Sequence, residues 1–95
     1  MRAIHKYELH IEDGGYSVLY LKNPQILDVQ YQGENAVVWL IEDETSSIQD
    51  SEAYTFVGWG TGWDVGPIAS FEYLTTLQEP WDDYVWHIFW KQGAV

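Results

Sequence analysis

The chain has 95 residues, of which 46% are hydrophobic and 17% aromatic, and 15 acidic against 4 basic residues give a formal net charge of −11. This length fits a single domain, residues 1–95, and the apolar content is too high for a disordered acidic tail. The chain has no cysteine, which excludes disulfides, thiolate metal sites and a cysteine nucleophile. Direct binding of nucleic acid through its phosphates is disfavoured because it needs more Lys and Arg.

Period-2 alternation of apolar and polar residues recurs along the chain and predicts strands, separated by turns rich in Gly, Pro, Asn and Asp. No segment shows a convincing helical stripe. About seven short strands with turns at roughly ten-residue spacing predict an all-β protein, a small antiparallel sandwich or barrel. The predicted strands are Lys6–Glu12, Tyr16–Leu21, Ile26–Gln32, Ala36–Ile41, Ala53–Trp59, Ser70–Leu77 and Tyr84–Trp90.

The strand Ala36–Ile41 is apolar on both faces, so we predict that it is central in its sheet. It is also the longest apolar run, and it is far too short to span a membrane. The N-terminal sequence MRAIHKYELHIED lacks the apolar segment of a signal peptide. These features predict a soluble, cytoplasmic protein that does not associate with membranes.

The negative charge is unevenly distributed. From Asn23 to Trp90 the chain has no Lys or Arg, but it has 12 carboxylates and 13 aromatic residues. The carboxylates concentrate in a predicted loop, Glu42–Glu52, and in an acidic turn, Glu79–Asp83. Such an excess repels anions and attracts cationic partners.

Four motifs occur in a consistent order over most of the chain: Lys6-Tyr7-Glu8-Leu9, Val29-Gln30-Tyr31-Gln32, Gly60-Thr61-Gly62 and Val85-Trp86-His87-Ile88-Phe89. In these motifs the chain resembles a family of small, functionally uncharacterised proteins common in phages and prophages. The resemblance implies a phage origin and a compact β-rich domain, and it implies no activity. For a phage protein, the predicted cytoplasmic location is the cytoplasm of the host cell. The family often has His-Pro after Gly-Thr-Gly, where this chain has Trp63-Asp64.

The sequence contains no catalytic motif. Adjacent carboxylates such as Asp82 and Asp83 rarely converge on one substrate, and no nucleophile elbow accompanies the Ser, His and Asp residues. The histidines His5, His10 and His87 have no spacing diagnostic of a metal site. We therefore predict no enzymatic activity, no metal and no cofactor.

The Gly-rich segment Gly58–Gly66 lacks the Lys and Ser/Thr of a phosphate-binding loop, and no helix follows it. One interpretation is a tight turn in which Trp59 and Trp63 pack into the core. The other is a binding loop whose two indoles cover a pocket or stack on a planar ligand.

Four tryptophans lie at turns or at a strand end, where full burial is hardest: Trp59, Trp63, Trp81 and Trp90. Aromatic residues surrounded by acids resemble an interface core with a charged rim. We therefore predict a non-enzymatic phage protein that binds and inhibits a host factor of antiviral defence through that factor's basic surface. The predicted binding residues are Glu42, Asp43, Glu44, Asp50, Glu52, Trp59, Trp63, Glu79, Trp81, Asp82 and Asp83.

Two alternatives remain open at this point. The first is a binder that sequesters a nucleotide signal in an aromatic pocket. An anionic ligand would then need Arg2, Lys6, Lys22 or Lys91 to converge across a homo-oligomer interface. The second is a virion or assembly component that uses its aromatic residues for contacts between copies.

Overall fold

The computed structural model describes residues 1–44 and 48–94. Within them the chain forms seven strands and three short 3₁₀ turns, at Glu12–Gly14, Ile48–Asp50 and Gly66–Ile68. No helix in this described part is long and apolar enough to cross a membrane. The strands are β1 (Arg2–Leu9), β2 (Tyr16–Leu21), β3 (Gln25–Gln32), β4 (Asn35–Asp43), β5 (Glu52–Gly60), β6 (Glu72–Gln78) and β7 (Val85–Gln92).

The strands form two antiparallel sheets instead of one closed barrel. One sheet has the order β1-β4-β3 and the other has the order β2-β5-β7-β6. The apolar strand β4 is the centre of its sheet, as its composition predicts. The all-β prediction is confirmed, and of its two forms the structure has the sandwich.

The core lies between the sheets and is built from the alternate residues that each strand turns inward. Phe56 and Ile88 are fully buried in the four-stranded sheet, and Val38 and Leu40 are fully buried in the three-stranded one. Burial of each such side chain contributes about 1.5–3 kcal/mol. Ile11, which follows β1, is also fully buried and completes the core beside the Glu12–Gly14 turn.

Apart from β2, each strand differs from its predicted bounds by one to four residues, and the differences at β1, β4 and β5 bear on the predicted binding residues. The first strand begins at Arg2 and ends at Leu9, because Arg2–Leu9 pairs along its whole length with Ala36–Asp43 of β4. The same pairing extends β4 through Glu42 and Asp43. The predicted loop Glu42–Glu52 was therefore too long at both ends, and residues 45–47 of it lie outside the described residues.

The third difference concerns β5, which extends one residue beyond the predicted strand Ala53–Trp59 at each end and so includes both Gly58 and Gly60 of the Gly-rich segment. The two glycines occupy strand positions where a neighbouring group lies too close for a Cβ atom. Ile11 lies against Gly58, and the indole of Trp63 lies against Gly60. The glycines therefore serve close packing here, which is a known role of Gly in strands.

Candidate functional site

The predicted acidic residues lie at two opposite ends of the sandwich. Strand β5 begins at Glu52 and ends at Gly60, and Gly60 pairs with Trp86 at the start of β7. The turn between β6 and β7 is therefore at the Gly60 end, whereas Glu44 and Glu52 are at the other. The first group comprises Glu42, Asp43, Glu44, Asp50 and Glu52, and the second comprises Glu79, Asp82 and Asp83 together with Trp59, Trp63 and Trp81.

Glu42 is not a surface residue, contrary to its predicted place in an exposed loop. Its side chain is 4% exposed and points between the sheets. The Nδ1 atom of His5 lies 2.8 Å from Oε2 of Glu42, and the Tyr7 hydroxyl donates a hydrogen bond to the same oxygen. The backbone N–H of Lys22 donates to Oε1 at 3.4 Å. These internal partners explain how a carboxylate can be buried at this position.

Asp43 and Glu52, two other carboxylates of this end, also have partners in their own chain. Asp43 accepts hydrogen bonds from Arg2 at 2.7 Å and from Asn23 at 2.7 Å. These bonds, from Asn23 first and then Arg2, lower the pKa of Asp43. Gln92 donates to Glu52, and Glu44 is exposed. Arg2 therefore neutralises part of the charge here.

The pKa of Tyr7 is raised by its burial and by its contact with Glu42. Burial, the hydrogen bond to Glu42 and the charge of Glu42 raise the pKa of Tyr7 to about 12. Because folding raises the pKa of Tyr7, the neutral phenol stabilises the folded state. This stabilisation is complete below pH 10 and is lost as the pH rises toward 12.

We expect a spectrophotometric titration of the tyrosines to lose a phase near pH 12 in the Tyr7→Phe variant. Loss of a phase near pH 10 would contradict this assignment.

At the opposite end, the turn between β6 and β7 is fixed by its own hydrogen bonds. The backbone N–H of Glu79 donates to the carbonyl of Tyr84 at 2.9 Å, and Asp82 Oδ1 accepts from the Tyr84 N–H at 2.8 Å. Glu79 is 6% exposed, also against the prediction of a solvated acid, and its Oε1 accepts the indole N–H of Trp86 at 2.7 Å. Asp83 is exposed.

Two further carboxylates join this end that the sequence analysis did not include. Glu12 and Asp13 belong to the 3₁₀ turn after β1, which packs against β5. Asp13 has a φ of 57°, which is tolerated by Asp in a tight turn. The packing of this turn against β5 brings both carboxylates to the Gly60 end.

The predicted tryptophans divide into two exposed and two half-buried ones. Trp63 is 41% exposed and Trp81 is 51% exposed, whereas Trp59 and Trp90 are half-buried. The rings of Trp59 and Trp63 are nearly perpendicular, with centroids 5.2 Å apart. Trp81 makes an edge contact with Tyr31 at 5.3 Å. The packing of Trp59 agrees with the interpretation of the Gly-rich segment as a tight turn. The exposed part of Trp63 leaves the interpretation as a binding loop open for that residue.

Acidic and aromatic side chains of this end line two adjoining hollows, which together we call the acidic groove. The hollows share Asp13, Tyr84 and Trp86. The first hollow is completed by Gly60, Thr61, Trp63, Asp83 and Val85, and the second by Glu12, Glu79, Trp81 and Asp82. None of the lining residues is Lys or Arg.

Tyr31 lies beside the second hollow. Its hydroxyl is buried and has no hydrogen-bond partner within residues 1–44 and 48–94. Burial, and then the charges of Glu12, Glu79 and Asp82, raise the pKa of this phenol. Three carboxylates of this end therefore lie near enough to Tyr31 to act on its phenol.

None of the four cations of the chain lines the acidic groove. Arg2 pairs with Asp43, and Lys6 donates to Gln32 at 2.7 Å. Lys91 lies 4.8 Å from the ring centroid of Phe71. The described residues also contain no group of three or more His, Asp or Glu that could hold a metal ion. The groove is therefore a site of one sign of charge.

The fold and the groove together define a small all-β sandwich with an acidic, aromatic-lined end. The chain belongs to the family described as a domain of unknown function, DUF7352, whose model matches residues 1–94. No curated protein and no solved structure matches the chain significantly.

Proposed function

We propose that this protein is a non-enzymatic binding protein that recognises a cationic protein partner through the acidic groove. We further propose that the chain is phage-encoded, that the partner is a host defence factor, and that covering its basic surface inhibits it. One observation carries the proposal: exposed aromatic rings and carboxylates coincide at one end of the molecule, in a groove lined by no cation.

This combination matches the chemistry of protein interfaces. Trp and Tyr are the most common anchors of binding energy, and Tyr84 is 66% exposed and Trp81 51% exposed in the groove. Carboxylates around such anchors supply a rim that attracts a basic partner and increases the association rate. The opposite end differs, because Glu42 is buried, Arg2 bonds to Asp43, and a hollow lined by Tyr54, Glu72 and Trp90 also contains Lys91.

The arrangement of the cations disfavours the nucleotide binder. That alternative needs the four basic side chains to converge on an aromatic pocket, but Arg2 is bound to Asp43, Lys6 to Gln32, and Lys91 lies over Phe71. An anionic ligand in the acidic groove would meet carboxylates and no compensating charge.

Two isosteric double variants test the proposal. Asp82→Asn with Asp83→Asn removes two charges from the acidic groove, and the Asn side chain can still accept the bond from the Tyr84 N–H. Glu44→Gln with Glu72→Gln removes two charges from exposed residues at the opposite end. The two variants therefore have the same net charge and differ only in where the charge is lost.

The partner is first isolated from host lysate and identified. Its affinity is then measured at about 0.05 and 0.3 M salt, because the electrostatic screening length is above about 10 Å at the lower concentration and below it at the higher one. We expect the affinity for the intact protein to fall at least about tenfold with salt. The groove variant should bind weakly at both concentrations, and the opposite-end variant should bind like the intact protein. Equal losses in both variants, or an affinity independent of salt, would refute the proposal.

A further inference from the structure

The first hollow of the acidic groove contains three aromatic rings in a fixed arrangement. The ring of Trp63 is inclined by 73° to that of Trp86, with centroids 5.6 Å apart. The ring of Tyr84 is nearly parallel to Trp86, at 10° and 6.2 Å. Trp63 and Tyr84 are 41% and 66% exposed, so ring surface remains available to a ligand.

Two of these rings, Trp86 and Trp63, are restrained by groups of the same chain before any ligand arrives. The indole N–H of Trp86 is bound by the buried carboxylate of Glu79 at 2.7 Å. Trp63 lies against Gly60 on one side, and Gly14 also approaches its ring. Trp59, which contacts Trp63, donates its indole N–H to the carbonyl of Asp64 at 2.9 Å. A ligand therefore immobilises few side chains on binding, which favours affinity.

The charge of the hollow selects the kind of ligand. Asp13 and Asp83 line it together with the three rings, and no Lys or Arg does. Aromatic faces attract cations, and carboxylates do so with hydrogen bonds as well. A quaternary ammonium has no N–H to donate, whereas a guanidinium has five donors and a flat face that stacks on a ring.

From this arrangement we infer that the first hollow binds the guanidinium group of an arginine side chain, stacked on Tyr84 or Trp63 and hydrogen-bonded to Asp13 or Asp83. The inference rests on the proposed function, because it names the group by which the cationic partner is recognised. Lys binds less well in such a site, because its ammonium is a compact charge that neither stacks nor forms paired bonds to a carboxylate.

Three short peptides test this inference: acetylated, amidated Gly-Gly-Arg-Gly-Gly and its lysine and citrulline counterparts. Citrulline keeps the planar shape of arginine and loses the charge. Binding is followed by NMR through the indole N–H signals of the tryptophans. We expect the arginine peptide to shift the Trp63 and Trp86 signals most, the lysine peptide to bind about fivefold more weakly, and the citrulline peptide at least about tenfold more weakly.

Two leucine variants provide the matched comparison. Tyr84→Leu removes a ring of the hollow, and Tyr20→Leu removes an exposed ring at the far end of β2. We expect about a fivefold loss of affinity for the arginine peptide in the first variant and no change in the second, with the same circular dichroism for both. Equal binding of the arginine and citrulline peptides, or of the arginine and lysine peptides, would overturn the inference. If all three peptides failed to bind, the inference would be wrong. Loss of partner binding in the Asp82→Asn, Asp83→Asn variant would in that case still support the proposed function.

Discussion

The Glu42→Lys variant is expected to lose about 3–5 kcal/mol of its free energy of unfolding. Glu42 accepts hydrogen bonds from Tyr7 and from the backbone of Lys22, and it faces His5 at 2.8 Å. A lysine in its place would bury an ammonium group with no carboxylate partner, and the backbone N–H of Lys22 would lose its acceptor. With a typical stability of about 5–15 kcal/mol, such a loss leaves a small domain marginally folded at best. Urea unfolding measures the change.

Two neighbouring substitutions distinguish the cause. Glu42→Gln keeps an oxygen that can accept from Tyr7, so we expect a loss of about 1 kcal/mol. Glu44→Lys makes the same change of charge on an exposed residue two positions away, and it should alter stability by less than about 0.5 kcal/mol. If Glu44→Lys destabilised the protein as much as Glu42→Lys, general electrostatics and not burial would be responsible. Charge reversal at Glu42 therefore tests folding and is unsuitable for testing an interface.

The Gly58→Ala variant is expected to lose about 3 kcal/mol. A Cβ atom on Gly58 would clash with the backbone oxygen of Ile11 and lie 2.8 Å from its Cβ. Ile11 is fully buried in the core, so neither it nor β5 can move away without opening the packing between the sheets. Thermal unfolding measures the loss, and a variant with unchanged stability would show that the contact between Ile11 and Gly58 is not tight.

Gly60→Ala is the informative comparison on the same strand. Its Cβ would lie 2.7 Å from the Nε1 atom of Trp63, which is a side chain and is 41% exposed. Because this indole can turn toward solvent, we expect a smaller loss of about 1 kcal/mol. The displaced indole would nevertheless leave the first hollow, so the arginine peptide should bind more weakly to Gly60→Ala than to the intact protein.

The sequence predicted most of the fold because the core pattern is local. Alternation placed β2 at its true boundaries, and the apolar run Ala36–Ile41 identified the central strand β4. One error falls where a polar residue is buried by partners distant in sequence. Glu42 belongs to a strand because His5 and Tyr7 satisfy its carboxylate, and composition alone cannot show such a pairing.

The candidate site was predictable only in part for a related reason. Trp63, Trp81, Asp82 and Asp83 were identified from their place in turns. Asp13 was not, because only the packing of the turn Glu12–Gly14 against β5 carries it to the acidic groove. The separation of the two acidic groups likewise follows from the antiparallel pairing of β5 with β7, which no single segment of the sequence encodes.

The strand directions also determine how the molecule can be tethered. The backbone oxygen of Met1 accepts from the N–H of Glu44, and the N–H of Gly93 donates to the carbonyl of Ala53, near the beginning of β5. Both described ends of the chain therefore lie at the pole opposite the acidic groove. A linker, a label or a surface attached at either end would orient the groove outward, toward a partner in solution.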